Sequence, residues 1–198
     1  MFTGIVAAVG RILETAPTEG GIRLRIDAEA LGLDDVAIGD SIAVNGVCLT
    51  VVALAPHAFE ADVSRETLSC VSGFDRDQPV NLEKALRLSD RLGGHLVTGH
   101  VDGVGRIERI DRAGDNCVVE ISLPVDLARY VARKGSVAVD GVSLTVNAVS
   151  DAGFTVNLIP HTLAHTRFAA LGPGATVNIE IDLLARYVER MNIHSPNK

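Results

Sequence analysis

The sequence contains no tryptophan, only five phenylalanines and two tyrosines. So few aromatics argue against a stacking platform for single-stranded nucleic acid. Positive charge is in deficit too. Eighteen Lys and Arg against 25 Asp and Glu leave a net charge of −7, where nucleic-acid binding asks for basic stripes. The three cysteines, Cys48, Cys70 and Cys117, include no Cys-x-x-Cys pair, so neither a zinc ribbon nor a dithiol redox motif is indicated. An odd, widely spaced set reads as free thiols in a reducing, cytoplasmic setting. No group of His, Cys and carboxylates has metal-ligand spacing, and no phosphate-cradling glycine loop is present. The apolar start MFTGIVAAVG has no basic residue ahead of it and does not read as a signal peptide. Residues 41–59 carry no formal charge, close to the length of a membrane span. Asn45-Gly46 and Pro56 break that stretch, so it reads as buried strands around a hairpin turn.

What the chain does have is ordinary globular material. It is 198 residues long, 47% hydrophobic and 22% charged, enough for one or two domains with a proper core. It is also internally repeated. SIAVNGVCLTVVAL (41–54) recurs as SVAVDGVSLTVNAV (136–149), with nine of 14 positions identical at an offset of 95. The same offset relates Thr3-Gly4 to Thr98-Gly99, Phe59 to Phe154 and Thr67-Leu68 to Thr162-Leu163. Val80-Asn81-Leu82-Glu83 matches Val177-Asn178-Ile179-Glu180 at offset 97, so copy two carries a two-residue insertion. A unit of this size is a domain, which makes the chain a tandem duplication. The expected division is copy one at 1–95, copy two at 96–182 and a C-terminal segment at 183–198.

Each copy reads as about six short apolar or alternating runs separated by Gly, Pro and Asp. That pattern predicts an all-β fold of small closed antiparallel barrels. Asn45-Gly46 and Asp140-Gly141 are the two-residue type I′ hairpin pairs. Short helices are predicted over 124–133 and, more weakly, 27–39. Leu183, Leu184, Tyr187, Val188 and Met191 form a helical stripe with Asp182 as its N-cap. An isolated helix this short is marginal in water. The stripe therefore packs either on its own barrel or in a bundle between subunits.

Side chains alternate along the strand after each hairpin. Val47, Leu49, Val51 and Ala53 share one face; Cys48 and Thr50 share the other, matched by Ser143 and Thr145 in copy two. A small polar pair can be a solvated strand face or a ligand face. The copies differ where Ile5 becomes His100, Cys48 becomes Ser143, Asn45 becomes Asp140 and Glu66 becomes His161. Histidine is the side chain whose ordinary pKa allows proton traffic near neutrality, so His100 on the opening strand of copy two suggests a task that only one copy performs. His95 reads as a strand or turn residue.

The start Met1-Phe2-Thr3-Gly4-Ile5-Val6, the two hairpins, Gly93-Gly94-His95-Leu96-Val97-Thr98-Gly99-His100-Val101 and Leu158-Ile159-Pro160-His161-Thr162-Leu163 resemble the α-chain type of riboflavin synthases over the whole chain. The resemblance implies two six-stranded Greek-key barrels and a C-terminal helix that holds a homotrimer. It implies a dismutation of two 6,7-dimethyl-8-ribityllumazine molecules, one giving four carbons to the other, with riboflavin and 5-amino-6-ribitylamino-uracil as products. The ring system delocalises charge, so no metal, flavin or nicotinamide cofactor is needed. The active site would lie between the N-terminal barrel of one subunit and the C-terminal barrel of a neighbour. Association with a lumazine synthase is left open.

By resemblance, the ligand-contacting segments in the first barrel are Gly4, Ile5, Val6, Cys48, Leu49, Thr50 and the run Asp62, Val63, Ser64, Arg65, Glu66, Thr67. In the second barrel they are Gly99, His100, Val101, Ser143, Leu144, Thr145 and the run Asn157, Leu158, Ile159, Pro160, His161, Thr162. Lys134 would reach the neighbouring subunit's ligand, and Phe2 would pack on a ring. The reaction must take a proton from a 7-methyl group, make the second ring electrophilic and hold the two face to face. His100 and Thr145 are the candidates for proton transfer, Ser143 for ring positioning, and Cys48 for the nucleophile or a polar contact. The rival reading is a non-catalytic lumazine or flavin antenna or carrier. By the resemblance, antenna proteins lack the cysteine at 48 and the histidine at 100 that this chain keeps.

Overall fold

In the computed structural model, which describes residues 1–114 and 116–193, each copy closes into a six-stranded antiparallel barrel. Barrel one has β1 (Ala8–Thr18), β2 (Gly21–Asp27), β3 (Ser41–Val44), β4 (Val47–Ala55), β5 (Ala58–Ser64) and β6 (Pro79–Lys84). Barrel two has β7 (Gly103–Ala113), β8 (Asn116–Ser122), β9 (Ser136–Val139), β10 (Val142–Ser150), β11 (Gly153–Leu158) and β12 (Thr176–Ile181). The order around the first ring is β1-β2-β5-β4-β3-β6, and the second repeats it. β2 lies beside β5 across the β3-β4-β5 meander, which is the Greek-key arrangement. The first five strands of the two copies begin 95 residues apart and the sixth 97 apart. Even the bulges repeat: Ile12/Glu14 and Val51/Ala53 return as Ile107/Arg109 and Val146/Ala148. Bulges bend and twist a strand, which lets a short sheet close on itself.

Burial follows the alternation. Val47, Leu49 and Val51 are core residues while Cys48 and Thr50 point outward, until the bulge after Val51 leaves Val52 and Ala53 both half-buried. The charge-free stretch 41–59 is β3, β4 and the start of β5. Among the described residues no helix is long and apolar enough to cross a membrane.

The helical expectations need correction. Residues 27–39 hold one 3-10 turn, Glu29–Leu31, and 124–133 hold only α2 (Val125–Ala128). Neither has a side-chain cap at its start, and Gly32 and Gly39 carry positive φ. Two further helices, α1 (Arg65–Cys70) and α3 (Pro160–His165), leave β5 and β11. Ser64 caps α1 by accepting from the Thr67 N–H, and Pro160 starts α3. Six residues are too few to display a helical period. The C-terminal α4 (Leu183–Ile193) forms as expected, with the Asp182 carboxylate accepting from the Leu184 N–H at 3.0 Å. Residues 194–198 of the expected tail lie outside the described residues. Leu183 is half-buried, but Leu184, Tyr187, Val188 and Met191 are 58–72% exposed, so most of the stripe is left uncovered by its own barrel. Polar ties hold the helix instead: Glu189 to Arg129 and Tyr130, and Arg186 to Asp102.

The barrels meet about a pseudo-twofold at their hairpin tips. Asn45, Gly46, Asp140 and Gly141 have φ of 48°, 79°, 47° and 77°, as type I′ turns require. A Cβ on Gly46 would lie 2.6 Å from the Gly141 nitrogen, so only glycine fits where the turns touch. The Asn81 Nδ2 donates to the Asp140 carbonyl at 2.9 Å, and its mate Asn178 donates to the Asn45 carbonyl at 3.0 Å. Their side-chain oxygens accept from the N–H groups of Arg167 and Ser72, themselves 95 residues apart. Phe2 and Val97 pair as a single antiparallel bridge on the same axis.

Candidate active site

Each copy opens with an extended segment rather than a strand, so Ile5 and His100 precede β1 and β7 instead of lying in them. A buried glutamate fixes each segment. Glu83 accepts from the Thr3 N–H and hydroxyl at 2.7 and 2.6 Å and from the Gly4 N–H at 3.0 Å. Glu180 does the same for Thr98 and Gly99. Burial raises both carboxyls above the usual glutamate range, and these donors offset only part of that rise.

Beyond those glycines the segments change barrels. The Ser143 N–H donates to the Gly4 carbonyl and the Cys48 N–H to the Gly99 carbonyl, both at 2.8 Å. Val6 packs on the core of barrel two and Val101 on the core of barrel one. Gly99 comes so close to Cys48 that an added Cβ would sit 2.5 Å from the Cys48 Cβ; Gly4 is equally tight against Ser143. The expected assignment of each segment to its own copy's barrel is thereby corrected. His100 belongs beside Cys48, and Ile5 beside Ser143.

The first cleft, of about 260 Å³, is lined by Cys48, Ser64, Glu66, Thr67, Cys70, Gly99, His100 and Val101. That is slightly small for a ligand site of roughly 300–1,000 Å³, as suits a half-site open to solvent. Its counterpart groups Ser143 with Gly4 and Ile5, and α3 follows β11 there as α1 follows β5. Ser143 has a partner that sequence reasoning missed. His95 Nδ1 lies 2.7 Å from the Ser143 Oγ, and the residue is 9% exposed with its Nε2 buried and unpartnered. Burial lowers the His95 pKa against the pull of Asp182, which favours a neutral ring. Copy one has no equivalent of His95, so the repeat comparison held no signal for it. Glu83/Glu180 and Asn81/Asn178 did carry one: polar residues repeated in otherwise apolar strands.

Other expected contacts fall differently. Phe2 is fully buried between the barrels with Ala43, Val97 and Ala138, enclosed where no ligand ring reaches it. Leu49, Val63, Leu144 and Leu158 point into the cores, leaving only their backbone to a ligand. Asp62 is engaged by Arg23 at 2.7 and 2.8 Å, and Arg65 by the Glu19 carbonyl. Asn157 faces Asn116. Thr50, Thr145, Ile159, Pro160 and His161 are exposed, Thr162 half-exposed, and His161 stacks on His165 with centroids 4.1 Å apart. Lys134 is exposed with a φ of 67°.

Twin barrels with exchanged opening segments and an outward cleft at Cys48 and His100 define a duplicated lumazine-binding protein, and the Lumazine binding domain model matches residues 3–85 and 98–182. Crystal structures of LumP complexed with riboflavin and with 6,7-dimethyl-8-(1'-D-ribityl) lumazine are similar, with TM-scores of 0.84 and 0.81 and 27% identity over 91% of this chain and 99% of those. Riboflavin synthase from Photobacterium phosphoreum is 46% identical over 96% of this chain and 88% of its own length. That from Bacillus subtilis is 39% identical over 100% and 92%. The chain belongs to the riboflavin synthase family, a family of transferase enzymes.

Proposed function

We propose that this chain converts two molecules of 6,7-dimethyl-8-ribityllumazine into riboflavin and 5-amino-6-ribitylamino-uracil. The observation that carries the mechanism is the exchange of segments, which makes the two clefts chemically unlike. One holds Cys48 and His100; the other holds Ser143 with His95 and, opposite, the inert Ile5. A reaction between identical molecules needs such a bias, because one must give four carbons and the other take them.

In this reading His100 moves the proton of a 7-methyl group, aided by Thr145 of the facing cleft. The resulting carbanion attacks the second ring, across one C=N bond of which the Cys48 thiol has added, sulfur to carbon and proton to nitrogen; the thiol is expelled by the reverse elimination as the product ring regains conjugation. Ser143 holds a ring, its hydroxyl oriented by the neutral His95. The Cys48–His100 cleft opens outward, so a second copy supplies the facing half, and α4 joins three copies through its exposed stripe. Lys134 reaches the neighbour's ligand. The three unpaired thiols suit the cytoplasm.

LumP is solved with riboflavin and with the lumazine bound, and the second reading of this chain is such binding without turnover. Incubation with the lumazine separates them: synthesis yields one riboflavin per two lumazines, whereas a carrier only shifts fluorescence. His100→Gln should lower turnover about 10²- to 10⁴-fold with lumazine affinity nearly unchanged. Mixing His100→Gln subunits with Ser143→Ala subunits should regain part of the activity, because some interfaces then pair two intact halves. No recovery would confine the site to one chain.

A further inference from the structure

His100 is exposed on an irregular segment, yet its proposed role demands a fixed ring. Upstream, Glu180 anchors Thr98 and Gly99. Downstream stands Asp102, which the reaction does not use. Its side chain is 8% exposed. Its N–H donates to the Ile179 carbonyl at 2.8 Å, and its Oδ2 accepts from the Ile181 N–H at 2.9 Å. Its Oδ1 accepts from the Arg186 guanidinium of α4, and the same nitrogen reaches the His100 carbonyl at 3.5 Å. Copy one lacks this device. Ala7 stands where Asp102 does, donating its N–H to the Leu82 carbonyl at 2.9 Å but offering no carboxylate. The clamp is therefore built only on the segment that carries the histidine.

We propose that Asp102 and Arg186 are positioning residues for His100, a clamp by which the C-terminal helix sets the place of the imidazole in the barrel-one cleft. The inference rests on the role given above to His100. Misplacing a reacting group by about 1 Å can cost up to 10²-fold. An Arg186→Met variant keeps the aliphatic stem and loses the fork. Its kcat should fall about ten-fold, with KM within about two-fold and native mass unchanged. Arg186→Lys retains a cation for Asp102 and should keep most of the activity; Asp102→Ala should behave like Arg186→Met.

The deciding comparison places Arg186→Met in a His100→Gln background. A residue that acts through His100 costs nothing further there, whereas a general structural defect costs the same ten-fold again. Equal losses in both backgrounds overturn the inference. So does a loss that tracks a change in native mass, which makes assembly the link. The side-chain resonance of His100 in a nitrogen-15 spectrum, assigned by its absence in His100→Gln, should shift or broaden in Arg186→Met. If His100→Gln leaves turnover intact, the role of His100 fails on its own. The resonance then decides the clamp, and an unmoved signal refutes it.

Discussion

Lys134 holds a left-handed φ of 67° where the first copy has Gly39 at 98°. That conformation costs a non-glycine residue about 1 kcal/mol, a cost retained where the side chain has work to do. Lys134→Gly should therefore leave the melting temperature unchanged or slightly higher while weakening turnover; differential scanning fluorimetry beside steady-state rates tests both halves. Asp140 and Arg167 form the other residue-scale asymmetry, replacing the neutral Asn45 and Ser72 of copy one. Their Oδ2 and Nη1 lie 3.3 Å apart, buried, but out of hydrogen-bond alignment. Burial pushes Asp140 up to about 6 against the pull of Arg167. The folded chain thus holds the proton more tightly than the unfolded one. The stabilisation from that proton is complete below the ordinary value of 3.8 and is lost as pH rises through about 6. Arg167→Ser strands the carboxylate and should cost about 3–5 kcal/mol at pH 7.5 and less at pH 5. Asp140→Asn with Arg167→Ser should recover most of it, read by urea unfolding at both pH values. At this scale the sequence exposed the Ile5/His100 and Cys48/Ser143 differences because duplication supplies an internal control. His95 stayed hidden because no residue of copy one corresponds to it.

At the scale of elements, strands and turns were readable because each is specified locally. The period-two pattern of Val47 to Val51 and the Asn-Gly and Asp-Gly pairs need only near neighbours. The destination of the opening segments was not readable. Thr3-Gly4 and Thr98-Gly99 are the same dipeptide, and the hairpin strands they could join are nearly alike, so either barrel would accept either segment. Short helices such as α1 and α3 escape for want of length. The tail helix was legible in type but not in partner. Since Leu184 and Val188 are exposed on the single chain, replacing both with Asp should leave the barrels folded and alter association alone. The expected result is a native mass falling to that of one chain, with unchanged barrel unfolding and lost turnover. An intact, active assembly would remove α4 from the interface.

The whole molecule is two barrels that each complete the other. Its inter-barrel bonds run in symmetric pairs, Asn81 with Asn178 and Phe2 with Val97. Copy one alone therefore lacks the strip that lines its cleft but owns an equivalent one in Thr3 to Val6. A chain ending near residue 94 should form a dimer by that route, seen as twice its mass in light scattering; a stable monomer would mean the exchanged segments are dispensable. The crossing also governs how the halves can change over generations. In a pair of identical single units, any substitution in the opening segment appears in both clefts at once. Joined in one polypeptide, the two segments vary separately, yet each alters its neighbour's cleft and not its own. A lineage could acquire one histidine beside Cys48 while keeping isoleucine beside Ser143, a combination closed to any assembly of like parts.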